Sequence, residues 1–503
     1  MKPDVLYATA LGAGCLAGAA LSYSEAWPLL IAMQSAVLWA LQNTPRRAGQ
    51  HLVVLAFALG AVLIGNHWLG VAIYHPPVNT IWAATLLAGL VLFVQACLYP
   101  LCLCLLRLFL VTPQNLGTFG WSLLMGGSWT AAEIARSTGL VAMPWGLLGT
   151  TQLDNPLLNG LYPVIGGHGV AGVSWVLSGL LLVAVTSAVR WASTPHPVVW
   201  PGLKTGFMTG VVALACASSW VDWTEPTGQT LQVRLVHSEL PETEKYTPDA
   251  QRLALVQLQR LAEQGGADMT VFPELFLQQI SRDIPATTRR AVVAGVLSNH
   301  GALVFGSPEL ETDDRGVPSR FNALVQIADD GTTHLYAKEL LLPFSEYLPA
   351  HPFVSWAYPF LYRYPQADMT PGERHQTPFR VNGAALGVTI CSELAYAGKS
   401  SRQALGSTLL VNASSDSWVP STPYLAQAHL IARVRAAEAQ KPMVRANNVG
   451  VSAFIDERGR VLASVDGASS IGVMAMSPRA GDTPHTRWAA TLSELALDLF
   501  SDP

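Results

Sequence analysis

The sequence predicts two unlike halves, a polytopic α-helical membrane domain followed by an α/β domain, and three observations carry that reading. Half of the 503 residues are hydrophobic and 13% are charged, with a mean hydropathy of +0.32, a composition foreign to disordered chains and to ordinary soluble enzymes. The charge is unevenly spread: residues 1–230 hold only seven of the 30 basic and six of the 34 acidic residues. From Leu231 onward, short β-rich runs alternate with helical stretches, the pattern of an α/β domain. A net charge of −4 supplies no positive field for a phosphate backbone, so nucleic acid is not expected as a partner.

Seven apolar stretches precede residue 230, at about 5–21, 27–41, 52–71, 81–105, 119–134, 164–189 and 206–219, each near the roughly 20 residues that cross a bilayer as a helix. A cleaved signal peptide accounts for the first alone and for none of the six that follow. With the N-terminus inside, the cytoplasmic ends carry Lys2, Arg46, Arg47, Arg107, Arg190 and Lys204, against Arg136 alone on the other side. Because basic residues are retained on the cytoplasmic side, an odd number of spans places everything after Trp220 outside, in the periplasm of a bacterium. The expected division is a membrane domain over 1–222, a linker over 221–229, a periplasmic catalytic domain over 230–480, and a tail over 481–503 with a short amphipathic helix. Glu133 and Arg136, three apart at the outer end of the fifth span, read first as an i,i+3 pair that anchors the helix and second as a lipid-headgroup site.

In the second half, strands are expected at the runs beginning with Leu231, Asp268, Ala302, Phe321, Ala385, Thr408, Pro442 and Val451, and helices over 248–264, 284–298 and 423–439. Cys15, Cys97, Cys102, Cys104 and Cys216 lie in or beside the spans, where a thiol is a small apolar filler, and the outer domain keeps only Cys391. A single thiol in an oxidising compartment is a tolerated buried residue or a retained nucleophile.

Its neighbours favour the nucleophile. Glu274 ends VFPEL, Lys338 and Glu346 lie in YAKELLLPFSEYLP, and Cys391 and Glu393 lie in VTICSEL, at a strand-to-helix turn. A carboxylate can take a thiol proton and return one to a leaving group, and an ammonium can stabilise the charges that form. Glu346 and Glu393 are supporting candidates whose plainer reading is structural pairing with nearby Lys or Arg. No His or Cys cluster has metal-ligand spacing and no glycine-rich phosphate loop follows a strand, so neither metal nor other cofactor is expected.

With these residues in this chain order, the half from Leu231 resembles the nitrilase (carbon-nitrogen hydrolase) superfamily, which implies an α-β-β-α sandwich with Glu274, Lys338 and Cys391 as its acid, amine and thiol. The spans before it, the segment WTAAEIARSTGLVAMPWGLLGTTQLDNPL from Trp129 and ARVRAAEAQKPMVRANNVGVSAFIDERGRV from Ala432 are similar to the apolipoprotein N-acyltransferase family of the bacterial inner membrane. The resemblance implies a phospholipid acyl donor, a thioester on Cys391 and a lipoprotein amine as acceptor. It also implies that Glu346 and Glu393 orient the lysine or polarise the site.

The sequence departs from the family's pattern at His237-Ser238-Glu239, Tyr246, Ser392 and Trp418-Val419-Pro420. Those positions line the substrate side in the family; Tyr246, Ser392 and Trp418 among them, together with Trp145, are the substrate-side candidates, although the two tryptophans read more often as interfacial anchors or core than as substrate contacts. The run RWAATLSELALDLF from Arg487 stands where the family has an eighth span and is too short and too acidic to cross. The aromatic segment from Pro343 to Pro365 reads as a lid. Two alternatives stand beside this reading. One is a divergent membrane amidase or acyltransferase with another substrate, as among the nitrilase-like proteins of conjugative-transfer genes; the other is a catalytically inactive lipid-binding scaffold.

Overall fold

The computed structural model describes residues 2–500 except 75–78, 111–115, 139–141, 194–201, 242, 313–315, 317, 344, 348–368 and 468–469. Most of the segment expected to form a lid lies outside the described residues. The chain divides into two compact units: Met1–Tyr74, Thr80–Val221 and Ser421–Leu430 form one, and His75–Asn79, Asp222–Pro420 and Ile431–Pro503 form the other.

In the first unit seven helices of at least 16 residues stand where the seven apolar stretches were expected: α1 (Pro3–Ala20), α2 (Trp27–Gln42), α3 (Arg47–Gly65), α4 (Ile81–Leu110), α5 (Thr118–Arg136), α6 (Tyr162–Ser193) and α7 (Leu203–Ser218). Among the described residues, Arg47–Gly65, Ile81–Leu110 and Asn159–Ala192 are long and apolar enough to cross a membrane by length and composition. Small residues let these helices meet closely: a Cβ on Gly14 of α1 would stand 2.2 Å from the Phe57 carbonyl oxygen of α3, the contact that membrane helices use where no hydrophobic effect drives them together.

Glu133 and Arg136 form no ion pair with each other, contrary to the i,i+3 reading, and each finds its hydrogen-bond partners elsewhere. Glu133 Oε1 accepts from Trp129 Nε1 at 2.9 Å and from the Leu148 N–H at 2.7 Å. Arg136 donates to Gln95 Oε1 at 3.2 Å, to the Tyr99 hydroxyl at 2.9 Å and to the Trp145 carbonyl at 3.2 Å.

The second unit is built on two six-stranded sheets. Its elements are β1 (Leu231–Val236), α8 (Pro248–Glu263), β2 (Met269–Val271), α9 (Ala286–Asn299), β3 (Ala302–Thr312), β4 (Pro318–Ile327), β5 (Thr333–Ala337), β6 (Arg380–Val381), β7 (Ala384–Ile390), α10 (Ala397–Ala404), β8 (Leu409–Ser414), α11 (Thr422–Ala439, whose residues up to Leu430 are assigned to the first unit), β9 (Met443–Asn447), β10 (Ser452–Ile455), β11 (Val461–Val465), β12 (Ile471–Met476) and α12 (Pro484–Phe500). One sheet runs β12-β1-β2-β3-β4-β5 and the other β11-β10-β9-β8-β7-β6. In each, three central strands are parallel, β1–β2–β3 and β7–β8–β9.

Strand alternation explains the layering. Val233, Leu235, Val271 and Val304 of the first sheet share one buried core with Leu386, Val388, Ile390, Val411 and Val444 of the second. Residues of opposite parity, Val236, Phe272, Leu303, Phe305 and Val325, pack with Leu258 and Leu261 of α8 and Val292 and Val296 of α9. A strand's side chains point alternately to its two faces, so each sheet buries both faces and reads as a continuous apolar run. The C-terminal helix α12 docks on α10: Arg402 Nη1 donates to Ser493 Oγ at 2.6 Å and its Nε lies 3.1 Å from Glu494, while Ala489 and Ala490 are buried and Leu492 and Leu495 exposed.

Candidate active site

Three strand ends of the α/β unit bring Glu274, Lys338 and Cys391 together. Glu274 follows β2, and the next residue, Leu275, takes a left-handed φ of 46°. This turn lies against Gly306 of β3, where a Cβ would stand 2.2 Å from the Leu275 nitrogen; only glycine admits the Glu274 backbone so close. Lys338 follows β5 and is held by its own N–H donating to the Asn322 carbonyl at 2.8 Å. Cys391 ends β7 with φ 49°, the first residue of a 3₁₀ turn, Cys391–Ala395. A non-glycine residue in that region costs of order 1–2 kcal/mol, and it turns the sulfur sharply off the strand end, as a nucleophile elbow does.

The side chains converge. Lys338 Nζ lies 3.4 Å from Glu274 Oε1 and 2.8 Å from Glu346 Oε2, and donates to Glu346 Oε1 at 2.9 Å. Asn322 Nδ2 donates to both Glu274 Oε1 and Glu346 Oε1 at 2.7 Å, and the Ser415 N–H donates to Glu274 Oε2 at 2.9 Å. Glu274 is 5% exposed, Lys338 2%, Glu346 7% and Cys391 8%.

Burial works against the Lys338 charge, but the carboxylates of Glu346 and Glu274 outweigh it and hold the ammonium well above its ordinary pKa. The Cys391 thiol is pushed well up, first by burial and then by the Glu274 carboxylate, with Lys338 opposing. The resting site therefore holds a thiol beside a carboxylate and a permanent cation. Such a set moves a proton on demand and stabilises an oxyanion without a metal.

Glu393, expected either to orient the lysine or to polarise the site, touches neither the lysine side chain nor the sulfur. Its Oε1 accepts from the N–H groups of Glu339 at 2.8 Å and Leu340 at 3.2 Å, and its Oε2 from the Ile390 N–H at 2.8 Å and the Tyr336 hydroxyl at 3.0 Å. It braces the residues after Lys338 to the one before Cys391. Glu346 does face the lysine, as described.

A cleft of about 510 Å³ opens over the trio, and Tyr246 and Trp418 line it together with Glu274, Lys338, Glu346 and Cys391. Ser392 does not belong to the lining: the sharp turn at Cys391 sends the next side chain into the interior, where it is 5% exposed. His237 and Ser238, also expected on the substrate side, are buried and bonded to Ser452 and Asn448 at 2.9 and 2.6 Å. Trp145 belongs to the helical unit, a core residue 6% exposed whose ring lies edge-on to Trp68, 6.1 Å between centroids. Among the cleft residues that escaped the sequence reading are Asn322, Ser415 and Lys245, whose Nζ donates to Ser415 Oγ at 2.8 Å. Each is a common polar residue whose role depends on long-range strand register, so no local signal marks it.

Residues 232–477 match the family model described as carbon-nitrogen hydrolase. The α/β unit is thus a catalytic domain of the nitrilase superfamily. Residues 13–180 match the apolipoprotein N-acyltransferase N-terminal domain. The apolipoprotein N-acyltransferase of Nitrosomonas europaea is 27% identical over 97% of this chain and 94% of its own, and that of Azotobacter vinelandii 28% identical over 98% and 93%. Among solved structures, Saccharomyces cerevisiae Nit3, a member of branch 10 of the nitrilase superfamily, aligns with 54% of this chain and 95% of its own at 17% identity and a TM-score of 0.37. The chain is thus similar over nearly its whole length to apolipoprotein N-acyltransferases, with a carbon-nitrogen hydrolase domain following the N-terminal domain of that family.

Proposed function

We propose that the protein transfers an acyl chain from a phospholipid to the N-terminal amine of a diacylglyceryl-cysteine lipoprotein. The observation that carries this reading is the convergence of Glu274, Lys338 and Cys391 in one cleft of a chain whose helical half matches the acyltransferase N-terminal domain. Glu274 takes the thiol proton as the Cys391 sulfur attacks the donor ester carbonyl, and Lys338 balances the oxyanion. Collapse breaks the ester C–O bond, Glu274 returns the proton to the glycerol oxygen, and a lysophospholipid leaves a thioester on Cys391. The acceptor amine then attacks that carbonyl and loses a proton to Glu274. The C–S bond breaks, the sulfur regains its proton, and an amide is formed. Two substrates that react in turn at one sulfur give ping-pong kinetics.

The apolar helices fit a reaction whose substrates both carry acyl chains. The basic residues, six against Arg136 alone, support an N-terminus in the cytoplasm of a bacterial cell and a catalytic unit on the periplasmic face of the inner membrane. The departure at Trp418-Val419-Pro420 and Tyr246, of which Tyr246 and Trp418 line the cleft, favours a second reading with the same thioester and a different acceptor.

One experiment separates the two. The protein is expressed in cells depleted of their own N-acyltransferase, and a model lipoprotein is examined by mass spectrometry. A third acyl chain, lost with Cys391→Ala, supports the proposal. Its absence, while the parent but not Cys391→Ala still reacts with an acyl-phosphonate probe, moves the acceptor elsewhere. Equal labelling of both would leave only a scaffold.

A further inference from the structure

The two oxygens of Glu274 are not equivalent. Oε1 is engaged by Asn322 Nδ2 at 2.7 Å and Lys338 Nζ at 3.4 Å, whereas Oε2 receives the single N–H of Ser415 at 2.9 Å. A carboxylate oxygen accepts about two hydrogen bonds, so Oε2 keeps room for an arriving proton. One peptide N–H sets its direction.

That peptide is fixed through its own side chain. Ser415 Oγ receives Lys245 Nζ at 2.8 Å, lies 3.2 Å from Ser417 Oγ and meets Asn448 Nδ2 at 3.4 Å. Lysine ordinarily keeps its ammonium in water, yet Lys245 is 6% exposed and lines the cleft that holds Cys391. Desolvating an ammonium is costly, and here it fastens the residue that aims the Glu274 carboxylate.

We propose that Lys245 is a positioning residue for proton transfer, acting through Ser415 on Glu274 Oε2. The inference rests on the reading above only in taking Glu274 as the group that receives the thiol proton. Loss of the ammonium lets the Ser415 peptide drift, and a drift near 1 Å can cost about 100-fold in rate.

The test uses the full chain in detergent and the burst of p-nitrophenol released as a p-nitrophenyl fatty ester acylates Cys391. Lys245→Met is expected to slow acylation about 10-fold to 100-fold with KM unchanged within about twofold. Ser415→Ala should do the same, the double variant should be no slower than the worse single one, and Lys245→Arg should recover most of the rate. Multiplying losses in the double variant would overturn the proposal, as would a raised KM at full acylation rate or an Arg variant as slow as Met. Lys245→Arg, which keeps the buried charge, and Ser415→Ala, which removes a single oxygen, decide the matter if Lys245→Met does not fold. Lys245-dependent acylation without transfer to a lipoprotein amine would support this inference and remove the proposed function.

Discussion

Cys391 carries a thiol whose pKa is raised by burial and by Glu274, and the sign of that shift is testable. A raised thiol is protonated at neutral pH, so alkylation by iodoacetamide should keep accelerating as pH rises past about 9, beyond the ordinary cysteine value. A plateau reached by pH 8 would contradict it. Glu274→Gln removes the negative charge and, if Glu274 is the base, separates two effects that a simple loss of structure would not. Alkylation near pH 7 should quicken while acyl transfer falls about 100-fold to 10,000-fold. Lys338 stays charged across this range because its two carboxylates hold its pKa up, so Lys338→Met should lower transfer at every pH and, by removing the cation that opposes the rise of the thiol, move the limb set by Cys391 to higher pH.

Single bonds become architecture at the scale of strands and turns. Glu393 ties β5 to β7 with four donors on one buried carboxylate, and Glu393→Gln turns one acceptor into a donor facing a donor. A loss of about 2–4 kcal/mol in unfolding free energy is expected, read by denaturant titration, together with reduced transfer. Gly306→Ala forces a methyl into the Glu274 turn and should cost about 1–3 kcal/mol and most of the acylation rate, while the circular dichroism stays that of the parent. The long buried strands and the helices α8, α9 and α11 were legible as apolar runs and helical periods. Strand β5, THLYA, was not, because its first half is exposed and too short to alternate. Strand β12 was missed as an edge strand with Ile471 and Val473 exposed, and α10, AGKSSRQA, as a polar helix without an apolar stripe. Glu274, Lys338 and Cys391 were legible because each sits at a strand end beside a recognisable motif. Asn322 joins them only through the β4–β5 register that pairs Ala323 with Ala337.

Over the whole molecule, the seven apolar segments and the placement of Lys and Arg are the features most directly read from sequence, since helix formation in lipid depends on little else. An alkaline phosphatase fused after Trp223 should be active and one fused after Arg107 inactive; the reverse pattern would turn the catalytic unit to the cytosol and end the proposed reaction. The C-terminal helix needed more than composition: its Glu494 is committed to α10, with Arg402 joined to Glu494 and to Glu339, the neighbour of Lys338. Both strand ends that deliver the acid and the sulfur stop on left-handed residues, Leu275 and Cys391, conformations that glycine or asparagine would occupy with less strain. On the proposed mechanism, turnover accounts for a leucine and a cysteine there. A lineage released from catalysis would relax first at these two positions, so a glycine at either marks a retired descendant more surely than the loss of any surface charge.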